Sequence, residues 1–180
     1  MKQKSFIVTG ASATGKSTLI NTAVDSEYIY LPTHMTRKPR QGEINGKDAI
    51  FISKEEFEKN FMLEKYIEES LDFALLKSLN VYYGTPKIWL TKLLEERHCA
   101  SPVSTAIAAI IKEKIDIIWI HLHCNEEDRY NRLISRGISE EEVQKRLTSG
   151  DSIIIPEKAD LIVNTSLETP QEILKRVRIK

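Results

Sequence analysis

The sequence predicts an α/β domain in which helices flank a parallel sheet. Three observations carry that expectation. Strand-like and helix-like runs alternate through both ends of the chain. The run Ile115 to Leu122, IDIIWIHL, is almost continuously apolar, as a strand buried on both faces should be. The first strand-like run, Ser5 to Thr9, leads directly into a glycine-rich turn and then a helix-compatible run, Ser17 to Val24. A length of 180 residues suits one domain, 1–180, with a substantial core.

Taken in order, the turn comes first. It reads GASATGKST from Gly10 to Thr18 and fills the pattern G-x-x-x-x-G-K-[ST] with Gly10, Gly15, Lys16 and Ser17. Gly10 and Gly15 can take positive φ and let the backbone close on a ligand. Successive N–H groups of Gly10, Ala11, Ser12, Ala13, Thr14 and Gly15, running into Thr18, then form an anion nest backed by the positive end of the next helix. Lys16 adds a mobile charge able to reach β- and γ-phosphates, and Ser17 offers a hydroxyl to Mg²⁺. A turn with no ligand is the bland alternative; the complete motif in strand–turn–helix context argues against it.

The middle of the chain differs. Thr33 to Gly46 is polar, basic and loop-like, with turn signals at Pro39, Gly42 and Asn45-Gly46. Ala49 to Ser53 reads as a strand. Ser53 and Glu56 form a capping box for a helix from Glu55 to about Lys65. Tyr82-Tyr83-Gly84-Thr85-Pro86 reads as a turn into a helix ending near Arg97. The stretch from about Pro32 to Thr85 thus interrupts the alternation and is expected to form a lobe of its own, set into a core of 1–31 and 86–180. Beyond it, Val103 to Lys112 reads as a short helix. Asn125 caps a helix to about Arg136 with Gly137 as its stop. Ser139 with Glu142 opens a helix to about Leu147, Asp160 to Val163 is a short strand, and Thr169, Pro170 and Glu172 start the last helix.

Composition sets limits. Apolar residues make up 41% and charged residues 29%, as in a soluble globular protein. Lys+Arg and Asp+Glu balance at 26 each, which argues against broad attraction to nucleic acid or membranes but is compatible with a local basic pocket. No apolar run approaches the ~20 residues of a membrane span. Lys2 and Lys4 run straight into the first strand, so no signal peptide is expected. Cys99 and Cys124 lie outside any C-x-x-C pattern, and a reduced, cytoplasmic setting is the simple expectation. His121, His123 and Cys124 cluster at one strand end and read as a strand terminus rather than a metal site.

Together these motifs resemble the guanylate kinase family over nearly the whole chain. MTRKPRQGEINGKDAIFISKEEF is similar to that family's S-x-T-T-R-x-P-R-x-G-E-x-x-G-x-D-Y-x-F-V-S, YYGTP to N-Y-Y-G-T-S/P, RLISRGISEEEVQKRL to its R-L-x-x-R-G…R-L lid, and ADLIVN to its D-x-x-I-x-N ending. The resemblance implies a P-loop NTPase sheet flanked by helices, a small acceptor-binding lobe and an arginine lid at about 129–148. It implies ATP and Mg²⁺ as cofactors. It also implies a small phosphorylated acceptor as partner, in a monomer or homodimer, without nucleic acid or membrane. Arg37 and Arg40 match the arginines that bind the acceptor's phosphate, a task suited to a planar charged fork; composition alone would equally allow a solvated basic loop. His34, Tyr83 and Thr85 match further acceptor contacts, and Thr85 also fits an N-cap before Pro86. Arg132, Arg136 and Arg146 match lid and phosphate-stabilising arginines. By spacing alone, Asp128, Arg132 and Arg136 at i, i+4 would favour a surface ion-pair row. Asn164 matches a position near the adenine.

There are departures. The family's serine before the arginine loop is His34, its tyrosine after G-x-D is Ala49, and its central-strand acid pair aligns with Ser101 and Val103. Its guanine-reading glutamate aligns with Leu75 if Phe73-Ala74-Leu75 is the counterpart; Glu64, Glu68 and Glu69 lie too far upstream without an insertion. The expectation is transfer of the ATP γ-phosphoryl to the phosphate of a GMP-like nucleoside monophosphate with weak selectivity for guanine. The ribose 1,5-bisphosphate phosphokinase family is partly similar through the F-A-L run and YYGTP, which keeps a sugar phosphate open as acceptor. A non-catalytic guanylate-kinase-like binding module is the alternative of another class, disfavoured by the intact phosphate loop.

Overall fold

The structure, a computed structural model, describes residues 4–40, 42–67, 81–95, 98–148 and 156–179. The main sheet has five parallel strands in the order β2-β6-β1-β7-β8: β1 (Phe6–Thr9), β2 (Ile29–Tyr30), β6 (Cys99–Pro102), β7 (Ile118–His123) and β8 (Leu161–Asn164). β1 is central, with Val8 in register with Pro102 on one side and Ile120 on the other. The connections run to opposite sides of β1, so its carboxyl end opens on the crevice where such sheets take ligands.

Alternation along β1 divides the core into two layers. Phe6 and Val8 face a cluster with Leu19, Ile20 and Ala23 of α1 (Lys16–Asp25) and Leu174 and Val177 of the C-terminal helix (Pro170–Ile179). Ile7 faces the other way, onto Ile107, Ala108 and Ile111 of the helix Thr105–Lys114, with Trp119 and Leu93. All four residues of β1 are buried, so the loop that follows hangs from a fixed point.

A second, three-stranded sheet falls within the stretch that interrupts the alternation. β3 (His34–Met35) pairs in parallel with β4 (Ile50–Phe51) and antiparallel with β5 (Tyr83–Gly84). It packs its own aromatic cluster of Phe57, Tyr66 and Tyr82, with Phe57 and Tyr66 stacked at 4.7 Å. Phe57 lies on α2 (Lys54–Met62), whose N-cap Ser53 accepts the Glu56 N–H as expected.

Several boundaries move for local reasons. β7 starts at Ile118, because Ile115 serves as C-cap of the preceding helix. That helix, α4, begins at Thr105, where Ser104 accepts the Ile107 N–H; Val103 still bonds β1 through Val8 O. α3 (Ile88–Glu95) starts three residues after Thr85, so Thr85 is not its N-cap; Thr85 is buried and its carbonyl accepts the Ile67 N–H at 2.9 Å. The helix expected to reach Arg136, α5 (Glu126–Ile134), ends at Ile134, and Gly137 at φ +71 closes it through an N–H bond to Ile134 O. Asn125 and Ser139 occupy N-cap positions without capping bonds, before α5 and α6 (Glu140–Leu147). Asn125 Oδ1 accepts from Asn164 instead, and Glu142 pairs with Arg146. The Thr169–Glu172 box forms at the start of the last helix, α7, with the carboxylate accepting the Thr169 N–H at 2.8 Å. Among the described residues no helix is long and apolar enough to cross a membrane.

Candidate active site

The glycine-rich loop leaves β1 through Gly10 at φ +140 and enters α1 through Gly15 at φ +97, both in the backbone region that favours glycine. Its carbonyls are engaged by donors. Lys16 Nζ donates to Gly10 O at 2.5 Å and Ala11 O at 2.8 Å. Arg129 Nε donates to Ser12 O at 3.0 Å, Arg132 Nη1 to Ala13 O at 3.3 Å, and Thr165 Oγ1 to Thr14 O at 3.0 Å. These contacts tie the shape of the loop to Arg129, Arg132 and Thr165, which lie far from it in sequence. The first turn of α1 contains no acidic residue to compete for an anion there, and Ser17 and Thr18 are exposed at its start.

Beneath the loop, Thr9 Oγ1 accepts from Trp119 Nε1 and meets His121 Nδ1, both at 2.9 Å. Burial first, then His123 and Lys16, push the His121 imidazole below its ordinary pKa, so it sits neutral behind the loop. No group of three or more metal-ligating His, Cys, Asp or Glu side chains occurs among the described residues.

Helices α5 and α6 pack through Leu133 and Val143 against Ala13 of the loop. Arg132 does not form the surface row that its spacing allowed. It donates to Thr165 Oγ1 and Thr165 O, both at 3.1 Å, as well as to Ala13. Arg136 lies past the helix end, exposed, on the rim of a cavity of about 400 Å³ lined also by Gly15, Thr18, Arg132 and Thr165. Arg146 pairs with Glu142 at 2.9 Å. Asn164 faces Asn125 and the Ser166 N–H; it is the next residue, Thr165, that meets the loop. Thr165 and Arg129 escaped the sequence reading. The only signal was position, since Thr165 follows the I-V-N ending and Arg129 falls within the stretch expected as a lid.

Across the crevice, Arg37 and Glu43 form a two-pronged pair at 2.6 and 2.7 Å. That bond is the largest cause holding the Glu43 carboxyl down at about 2, and Glu43 also accepts the Arg40 N–H at 2.7 Å. The Arg37 guanidinium lies over the Phe51 ring at 5.4 Å and against the Tyr83 phenol. Burial first, and then the charge of Arg37, lower the pKa of Arg40, with Arg146 contributing in the same sense. Arg40 and Arg146 thus come within electrostatic reach of one another.

The departed positions are mostly core. Ala49 is 1% exposed, Ser101 donates its hydroxyl to Leu31 O at 2.9 Å, and Val103 is buried. His34 Nδ1 meets the Tyr66 hydroxyl at 2.8 Å, and burial lowers its pKa against the opposing charge of Glu56. Leu75, Phe73, Ala74, Glu68, Glu69 and Arg97 lie outside the described residues. Glu64 is exposed just past α2.

Comparison with known proteins matches these features. The family model of guanylate kinase matches residues 2–178. The chain is 30% identical to the guanylate kinase of Protochlamydia amoebophila, over 97% of the chain and 89% of that protein. It is 31% identical to that of Rubrobacter xylanophilus, over 93% and 88%. Among solved structures, a guanylate kinase from Anaplasma phagocytophilum shares the fold with a TM-score of 0.62 at 18% identity, covering 98% of this chain and 82% of that one.

Proposed function

This chain belongs to the guanylate kinase family, and from that premise we propose that it transfers the γ-phosphoryl group of MgATP to the phosphate of GMP. The observation that carries the donor half is the loop itself, with the carbonyls of Gly10 to Thr14 held by Lys16, Arg129, Arg132 and Thr165. Such a loop at a helix N-terminus suits an anionic phosphate group.

The acceptor's phosphate oxygen is already an adequate nucleophile, so positioning and charge neutralisation carry the catalysis. Arg37, Arg40 and Tyr83 hold the acceptor's phosphate; Arg132, Arg136 and Arg146 offset charge on the group in transfer. Ser17 is the residue that would hold Mg²⁺, whose charge offsets that of the β- and γ-phosphates. With Ser101 turned to Leu31 and Val103 apolar, the remaining ligands would be phosphate and water, which suits an ion that keeps several waters.

In the structure the Glu43 carboxylate fills the Arg37 fork as a bidentate phosphate would. Truncating Arg37 to alanine should therefore act on acceptor binding. A charge-assisted contact is worth roughly 1.5 to 3 kcal/mol, so the acceptor's KM should rise about ten- to a hundredfold with little change in kcat. Steady-state kinetics at saturating ATP checks this; a fall in kcat alone would move Arg37 from binding to chemistry.

Membership of the family supports guanine as the base. The Ile67 N–H bonds Thr85 O, and Tyr66 bridges to Pro86, so the chain on the far side of α2 meets the YYGTP turn directly. Glu68, the next residue in sequence and outside the described residues, would align with the family's guanine-reading glutamate if an insertion follows it. The test compares kcat/KM for GMP, dGMP, AMP, UMP and ribose 1,5-bisphosphate, in wild type and Glu68→Gln. We expect GMP to lead by a hundredfold or more, and Glu68→Gln to erase most of that lead, since a site built to hydrogen-bond its substrate discriminates by up to ~10⁴ to 10⁵. A flat profile across bases would return the weak selectivity that His34, Ala49, Ser101 and Val103 suggest. A lead for the bisphosphate would replace the nucleotide as acceptor, and no turnover with any of them would favour a binding module.

A further inference from the structure

Arg129 is 6% exposed, and its hydrogen bonds reach two segments far apart in sequence. Nε donates to Ser12 O in the phosphate loop, Nη2 to Arg146 O, and Nη1 to Leu147 O at 3.5 Å. Arg146 and Leu147 are the last two residues of α6. Helix-end carbonyls carry partial negative charge and lack helical partners, so a guanidinium suits them. The same side chain therefore caps the lid helix and holds the loop.

An interior arginine is a costly way to fill space. The α5–α6 contact already has Leu133 and Val143, with Tyr130, Ile138 and Leu147 beside them, and an apolar side chain would extend that packing. What an apolar side chain could not do is join Ser12 O to Arg146 O. The backbone of Arg146 is bonded directly, so its guanidinium is launched from a point fixed to the loop. We propose that Arg129 is a positioning residue: it sets Arg146 against the phosphate loop for phosphoryl transfer, coupling the order of the loop to that of the lid. The inference rests on the kinase reading above, in which Arg146 acts on the group in transfer.

The test uses the full chain with Arg129→Met, Arg129→Lys, Arg146→Ala and the Met/Ala double variant. Three quantities are read: kcat and KM for both substrates, the melting temperature, and amide exchange of 140–148 and 10–15 without nucleotide. Arg129→Met should lower kcat by about ten- to a hundredfold with a smaller change in the acceptor's KM, and should speed exchange in both segments together. Because Arg129 acts through Arg146, the double variant should be no slower than Arg146→Ala, as coupled sites are non-additive. Arg129→Lys, keeping the charge and fewer donors, should recover part of the rate. A purely structural role would lower the melting temperature while leaving kcat unchanged, or would make the two losses multiply; either overturns the proposal. If Arg129→Met does not fold, the same cycle is run with Arg129→Lys. A wild-type chain that shows no turnover would defeat the kinase reading and with it the catalytic half of the proposal. The exchange measurement still decides whether Arg129 joins the two segments: an acceleration confined to one of them would remove the tie.

Discussion

Replacing Lys16 with alanine is expected to lower kcat a thousandfold or more while costing the fold little. The two effects separate on magnitude. The amine donates to Gly10 O and Ala11 O, so truncation removes at least these bonds from a partly exposed site. Net hydrogen-bond contributions are about 1 kcal/mol each, and at this chain length 1 kcal/mol moves the melting temperature by roughly 2 to 4 °C. In the reaction, the same change removes a full charge from the phosphates during transfer. Losing even one neutral donor at such a place costs about 10² to 10³ in rate, and a single positive group on a transferring phosphoryl about 10³ to 10⁵. Calorimetry with ATP and kinetics on the purified variant read the two sides. A Lys16→Ala chain with wild-type ATP affinity and wild-type turnover would remove the kinase reading altogether.

The parts of this site that were legible in the sequence are local ones. A loop that needs positive φ writes that need as glycine, and Gly10 and Gly15 stand at φ +140 and +97 where the motif places them. Apolar runs wrote the strands of the core, and Thr169 with Glu172 wrote a cap that forms as read. The parts that were not legible depend on pairings across long separations. Arg129 follows Glu126, Glu127 and Asp128, a context that suggests a solvated helix start; its burial is decided by Ser12 and Leu147, on elements that the fold brings to it. One missing cap shares that cause: Asn125 stands at the right place, but Asn164 offers a competing donor to its Oδ1. Ser139 also stands at an N-cap position without a cap bond, and nothing in the structure explains it. Likewise the junction of Ile67 with Thr85 joins residues whose proximity no periodicity announces.

The second large effect concerns a methyl group. Gly10→Ala should destabilise the protein severely and abolish ATP binding, whereas Gly15→Ala should do so mildly, although both glycines have positive φ. A Cβ built on Gly10 would lie 2.3 Å from Leu122 O and 2.8 Å from Thr14 Oγ1. The carbonyl belongs to β7, a central strand buried throughout its length up to His123, and cannot retreat without disturbing its pairing with β1 and β8. The threonine hydroxyl is itself bonded to Ala11 O across the loop. The loop must therefore lift from the sheet. Backbone strain of about 1 to 3 kcal/mol adds to overpacking of about 1 to 3 kcal/mol, against a total stability of only about 5 to 15 kcal/mol. At Gly15 the nearest atoms to a new Cβ are those of Thr165 at 3.7 to 3.9 Å, ordinary contact distance, so only the left-handed backbone is penalised, by about 1 to 2 kcal/mol. Thermal unfolding of the two variants should show a drop of about 2 to 8 °C for Gly15→Ala and at least twice that for Gly10→Ala, or an insoluble Gly10→Ala beside a soluble Gly15→Ala. ATP titration of the soluble variants should follow the same order. If Gly15→Ala proved the more damaging, the close approach of the loop to Leu122 would not be what fixes its shape.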